Sequence, residues 1–384
     1  MDLRRIKAVA LKEWRETTRD RLFLLLAFLM PALWMVVFGY GLVMDVEDIP
    51  IAVLDQDHSS LSREYIYRFM QSRYFSYRGH VQDTRDLDRL LAETKIRAAI
   101  IVPERFEEQL KAGEAVVVQS FLDGTFPLHT DIAKGYLIAI NQSFTEDLVS
   151  DYVSRIRGMT KEHTRRIIQP IAVEVRYLYN EEVRSTWSTV PALVMFTLML
   201  SSPLLTSLGV VREKETGSIY NIYSSTLRRS EFLAGKLLPY IAISLVNVWV
   251  LWLMAVLMFD VPFKGSLPMF FGASVLFIMC TTGVGLLISL LVNTQMAALI
   301  ITMVVAMVPT ILFSGLLVPV SSLSRGARFQ AHLYPAMYYT NTVRGAFLKG
   351  LDARAMWMDI GALALFAALL FLASYRLLTK RPKA

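Results

Sequence analysis

Long stretches of this sequence lack charge. From Gly265 to Ser324 there is no Asp, Glu, Lys or Arg, and charged residues make up only 19% of all 384, against about 25% in ordinary soluble domains. Some 20 apolar residues cross a bilayer core of about 30 Å, so the charge-free stretch suffices for two crossings. Cysteine is nearly absent. Cys280 stands alone within an apolar run, which excludes an internal disulfide and reads as a small buried hydrophobe. The five histidines, 58, 80, 129, 163 and 332, are scattered, so no metal site is expected. HExxH, GxSxG and a P-loop are also missing. Gly235-Lys236 has the ending of a P-loop, but the upstream glycine is absent and Leu237 replaces Ser or Thr. Apart from Arg376, next to the end of the last run, the apolar runs contain no Asp, Glu, Lys, Arg or His. Such groups persist in membranes where ions or protons are relayed, so an ion-coupled carrier is disfavoured.

Six apolar runs remain: Leu22–Val43, Ser188–Val211, Leu237–Phe259, Pro268–Leu291, Ala297–Val318 and Ile360–Leu377. They predict an α-helical membrane protein with six spans. The first run is too long for a signal-peptide core and lacks a good cleavage site, so it reads as a retained span. Residues 2–21 place Leu3, Ile6, Ala10 and Trp14 at helical spacing among basic residues, predicting an interfacial amphipathic helix.

Composition divides the chain into three. Residues 1–43 hold the amphipathic helix and span 1. Residues 44–186 carry 18 Lys/Arg and 23 Asp/Glu without a run long enough to span, and read as an inserted α/β domain. Residues 187–384 hold the other spans, a short charged loop at 212–236 and a basic segment at 319–359. Within the α/β domain, strands are expected at Ile49–Asp55, Phe75–His80, Arg97–Val102, Ala115–Leu122 and Ile171–Tyr179. Helices are expected at Ser59–Gln71, Thr84–Thr94, Glu104–Lys111 and Leu128–Arg157. Their alternation predicts parallel strand pairs covered by helices. Asp55, Asp57, Ser59 and Ser60 read as a strand-ending turn with a helix cap. A short re-entrant or interfacial helix is expected around Pro335–Leu348.

Six spans put both termini on one side. That side, with the 212–236 loop, holds 16 Lys/Arg against 7 Asp/Glu, and the other side 24 against 26. The positive-inside rule then puts termini and loop in the cytoplasm and residues 44–186 outside. The net charge of +7 therefore reads as topology, with no nucleic-acid partner expected. Arg325, Arg328, Arg344, Lys349 and Arg354 depart from this bias, which a re-entrant segment would explain. Asn247, Thr281, Thr282 and Ser314 are mildly polar side chains within or beside the spans; helix packing is one reading and a substrate path the other. The dense loop Arg212-Glu213-Lys214-Glu215-Thr216-Gly217-Ser218 reads either as a solvated turn or as a knob docking on a soluble partner.

That loop, followed by Gly235-Lys236, resembles the signature of ABC-2 type exporter permeases. The opening Lys12-Glu13-Trp14-Arg15-Glu16 with Arg19-Asp20-Arg21 is similar to the start of that family. So is Pro335 with Tyr338-Tyr339 and Arg344-Gly345 before the last span. Ile51 to Asp57 and the Asp123-Gly124 turn resemble the drug-exporter-like inner-membrane subgroup. The resemblance implies a bacterial inner-membrane permease subunit without its own ATPase site. It would pair with a second copy or paralogue, and a cytoplasmic ATPase would bind ATP and Mg. Arg15, Glu16, Arg212 to Ser218, Gly235 and Lys236 would meet that ATPase. The outer domain would cap the exit and engage a periplasmic adaptor, and the cargo would be an amphiphilic drug, lipid or envelope component. A membrane-anchored sensor or scaffold with an outer binding domain is the alternative. It would need a cytoplasmic output module, for which a segment of 25 residues leaves little room.

Overall fold

A computed structural model describes residues 2–42, 46–157, 176–218 and 227–378. The chain forms two compact units, 45–175 and the remainder. The larger unit opens with α1 (Leu3–Arg19), capped by the Asp2 carboxylate, and passes through Asp20 into α2 (Arg21–Gly41). The long helices that follow are α7 (Ser185–Glu215), α8 (Arg229–Leu257), α9 (Leu267–Leu291), α10 (Gln295–Phe313) and α13 (Trp357–Leu377). Together with α2 these six are long and apolar enough to cross a membrane.

Span 2 is the hub. The apolar window of α7 is wholly buried, whereas those of α2, α10 and α13 are mostly uncovered. Leu193, Met195 and Met199 anchor the main core, joined by Val248 and Leu251 of α8 and Phe277 of α9. Close contact needs small side chains and internal hydrogen bonds. A Cβ at Gly285 of α9 would lie 2.3 Å from the Pro203 carbonyl of α7, so only glycine lets these backbones meet. Ser202 bonds Ser244 of α8 at 2.9 Å, and Ser207 bonds Thr302 of α10 at 2.9 Å.

Among the described residues, two π-helical turns interrupt the helices. In α2 the turn Leu25–Leu29 is braced by Asn247, whose amide donates to the Ala27 carbonyl at 2.8 Å. The other turn, Gly345–Lys349, follows α12 (Pro335–Arg344), itself preceded by α11 (Arg325–His332). Met337, Tyr339, Thr340 and Val343 of α12 are buried, and α12 packs on α7, α9 and α13. Arg344 is half-buried, and its guanidinium has no carboxylate partner among the described residues. It donates to the carbonyls of Ser188 (3.2 Å), Gly315 (2.8 Å) and Leu316 (3.2 Å). A guanidinium presents five donors in a planar fork, which suits the loose end of a helix where carbonyls lack partners.

In the smaller unit, β1 (Ile49–Asp55), β2 (Phe75–His80), β3 (Ala98–Val102) and β4 (Gln119–Leu122) form a sheet of order β2-β1-β3-β4. β1 runs parallel to β2 and β3; β4 is antiparallel to β3. Side chains alternate across a pleated strand. Ile51, Val53, Ala98 and Ile100 face α3 (Ser60–Met70), α5 (Phe106–Ala112) and α6 (Pro127–Arg157). Ala52, Leu54, Ala99 and Ile101 face α4 (Thr84–Ala92). After β1, Asp55 accepts the amides of Asp57 and His58 and the Ser62 hydroxyl, and Ser59 caps α3. This is a turn and cap.

Several boundaries differ from the expectations. The helix expected at 104–111 starts later, because Arg105 takes a left-handed φ of +62°. Of the strand expected at 115–122 only Gln119–Leu122 pairs. Of the strand expected at 171–179, residues 171–175 lie outside the described residues, and 176–179 are irregular. The expected loop 212–236 is partly helical: α7 runs to Glu215 and α8 begins at Arg229.

Candidate functional site: a charge hub joining α1, α7 and α8

The amphipathic helix α1 has two working faces. Ile6, Glu13 and Thr17 are buried, while Leu3 and Trp14 are exposed. The single apolar stripe expected through Leu3, Ile6, Ala10 and Trp14 is therefore divided. Ile6 turns towards α8, where a Cβ at Gly235 would lie 2.7 Å from Val9 Cβ and 2.9 Å from the Ile6 carbonyl. Gly235 is thus the point at which two helix backbones touch.

One residue on, Lys236 enters a closed cluster. Its Nζ lies 2.5 Å from Glu13 Oε2 and 3.0 Å from Glu213 Oε2, and donates to the Gly209 carbonyl at 3.3 Å. Lys12 reaches the other oxygen of Glu213 at 2.7 Å. The Tyr240 hydroxyl donates to Glu13. Lys236 is 1% exposed and Glu13 3%, and buried charges persist only in such balanced company. Burial raises the Glu13 pKa, although the Lys236 ammonium beside it pulls the other way. Burial would lower Lys12, but the Glu213 carboxylate outweighs it and the Lys12 pKa rises. Glu13, Glu16 and Glu213 bring carboxylate oxygens within 4.8 Å of one another, a spacing that suits a metal. Two ammonium groups already share that ground.

The four consecutive charges at the end of α7 each hold a different element. Arg212 pairs with Asp20, at the break between α1 and α2, at 2.7 Å. Glu213 joins the cluster. Lys214 donates to the carbonyls of Ser289 (2.5 Å) and Val292 (3.0 Å) at the end of α9. Glu215 accepts the Gln295 amide at 2.7 Å and its side chain, at the start of α10. Cations suit helix C-termini and anions N-termini, because the unpaired carbonyls and amides there carry partial charge. Thr216 bonds back to the Arg212 carbonyl at 3.0 Å and Ser218 contacts Thr216 at 3.1 Å. Gly217, at φ +73°, ends the helix in a left-handed turn that other residues adopt at a cost. Arg15 and Glu16 are exposed on α1.

Sequence reasoning missed Lys12, Glu13, Asp20 and Tyr240 as members of the hub. Glu13 gives a signal: it stands seven residues after the buried Ile6, on the inward face of α1. The four residues considered for a substrate path are buried. Asn247 braces the π-helical turn, Thr281 and Thr282 bond the Ile278 carbonyl, and Ser314 accepts the Leu316 amide.

Six apolar helices, one of them a buried central span, with charges gathered at one set of helix ends and an α/β unit inserted after the first, define a polytopic membrane protein. The chain belongs to the ABC-2 family of transporter proteins, whose family model matches residues 21–376, and it is a permease subunit of that kind. It is 30% identical to the probable multidrug ABC transporter permease YbhS of Escherichia coli K12, over 90% of this chain and 89% of the relative. It is 25% identical to the probable multidrug ABC transporter permease YbhR of the same strain, over 92% of each. The inner membrane transport permease YhhJ of Escherichia coli K12 is 22% identical, over 80% of this chain and 79% of the relative.

Proposed function

We propose that this chain is the membrane-spanning subunit of a bacterial inner-membrane exporter driven by a separate cytoplasmic ATPase. Two permease chains, identical or paralogous, form the pathway, and the ATPase binds the ATP and Mg. The observation that carries this reading is the hub. It ties the amphipathic helix α1 to the ends of α7 and α8 through paired charges, and Lys214 and Glu215 of α7 carry the link to the ends of α9 and α10, so a push on α1 is delivered to four spans. Arg15, Glu16 and Thr216 are exposed beside it and, with the half-buried Gly217 and Ser218, form the face for the ATPase. The charge bias supports cytoplasmic termini with residues 44–186 outside, where a periplasmic adaptor would meet them. The cargo is an amphiphile, such as a drug, lipid or envelope component. The uncovered helix faces support this choice: the exposed side of α10 presents Leu299, Ile300, Val304 and Val308, with no polar group to compete for an apolar body.

The test is co-expression with candidate ATPases followed by purification. A complex with two copies of each chain is expected, with ATP hydrolysis only when the ATPase is present. The double variant Arg15→Glu/Glu16→Arg should leave the permease folded and abolish copurification. If no ATPase binds, or the variant binds as well as the parent, the assignment of this face is wrong.

A further inference from the structure

The smaller unit contains a cavity of about 350 Å³, large enough for a small organic molecule. It lies at one end of the sheet, between the start of β1, the residue before β3, the end of β4 and the first turns of α6. Its apolar wall is Ile49, Pro50, Leu122 and Ala133, with Phe126 as the aromatic member. Its polar members are Glu47, Asp48, Asp123, Arg97 and His129. Three carboxylates face one guanidinium, so the cavity is net acidic.

The carboxylates are not equally engaged. Glu47 is 3.9 Å from Arg73. Asp123 accepts the amide and hydroxyl of Thr125 at 2.9 and 2.6 Å, and those two donors, with a smaller contribution from Arg97, lower its pKa. Asp48 forms no ion pair among the described residues, and its φ of +53° holds it in a conformation unusual for a side-chain-bearing residue. The Phe126 ring, half exposed, already carries a cation: the Arg97 guanidinium lies 5.6 Å from its centroid. An aromatic face attracts cations through its quadrupole.

We propose that this cavity is a binding site for an organic cation with an apolar body. The body packs on the apolar wall, and the cationic centre takes the place of Arg97 over Phe126, with Asp48 and Asp123 supplying countercharge. The site is distinct from the hub and needs no ATP, so its failure would leave the transport reading intact.

The experiment uses the full chain in nanodiscs. Cys280 is wholly buried, so His129→Cys introduces one accessible thiol at the cavity. Tetraphenylphosphonium should slow maleimide labelling of that thiol saturably, at least fivefold. Its anionic counterpart tetraphenylborate should not. Asp48→Asn keeps the shape and tolerates positive φ, and should raise the half-protecting concentration about tenfold, as loss of one nearby countercharge implies. Phe126→Ala, at an exposed position, should weaken protection similarly. No protection, equal protection by tetraphenylborate, or an unchanged half-protecting concentration in both variants overturns the proposal.

Discussion

At the residue scale, the hub is sharply unequal in its tolerance. Lys236 stands between two buried carboxylates, and Lys236→Met would strand Glu13 and leave Glu213 to Lys12 alone. A loss of roughly 3–5 kcal/mol is expected, as for other broken buried pairs. Adding Glu13→Gln should restore part of it, because one stranded charge goes with its partner; thermal unfolding of the detergent-purified single and double variants measures the coupling. Glu13 also sets a pH dependence. Its folded pKa is raised by burial, so between about 4.5 and that raised value the folded state holds a proton the unfolded state has released. Stability from this group therefore falls as pH climbs through that window, and Glu13→Gln should remove the slope from a plot of unfolding temperature against pH. The charged loop was legible as important and its pairing was not. Arg212 to Glu215 look like four exposed charges in sequence, yet their partners are Asp20, Lys12, Lys236 and two helix ends, all but Lys236 lying between 75 and 201 residues away in the chain. Long-range pairing of that kind leaves no periodicity to read.

At the element scale, Lys214 and Glu215 clamp the two ends of the α9–α10 hairpin by opposite charges. Exchanging them, Lys214→Glu with Glu215→Lys, puts each against the wrong helix end. A drop of several degrees in unfolding temperature is expected. Hydrogen exchange at residues 289–297 should quicken, with the α/β unit unchanged as an internal control. If exchange there is unaltered, the clamp has no mechanical role. Apolar runs located the spans closely, because length and hydrophobicity are local properties. They could not show that α7 and α8 extend past the apolar run as helix, since Arg212 to Glu215 and Arg229 to Lys236 are polar yet bonded within the protein. The π-helical turn at Leu25–Leu29 was equally hidden: it depends on Asn247, 220 residues distant. The basic residues that oppose the charge bias gain a partial account. Arg344 is held by three carbonyls, and Lys349 lies 5.7 Å from the Tyr179 ring, so neither is a free surface charge.

At the scale of the whole molecule, α2, α8, α9 and α10 gather around α7, while α13 packs on α9 and α12. Ribosomes make the chain from its N-terminus, so α7 enters the membrane when only α1 and α2 of its own unit exist. Its contacts on α8, α9, α10 and α12 all lie downstream. Meanwhile three of its hydroxyls are tied to its own backbone, Thr197 to Leu193, Thr206 to Ser202 and Ser207 to Leu204, so the lone helix exposes fewer bare polar groups to lipid. Biogenesis therefore has a waiting stage, in which the central helix is inserted but unsheltered. Chains stopped after residue 291, lacking α10, α12 and α13, should be inserted yet degraded several times faster than the full chain in a pulse–chase measurement, and equal half-lives would show that α7 needs no shelter. Quality control, more than transport, would then be what makes a truncated allele silent.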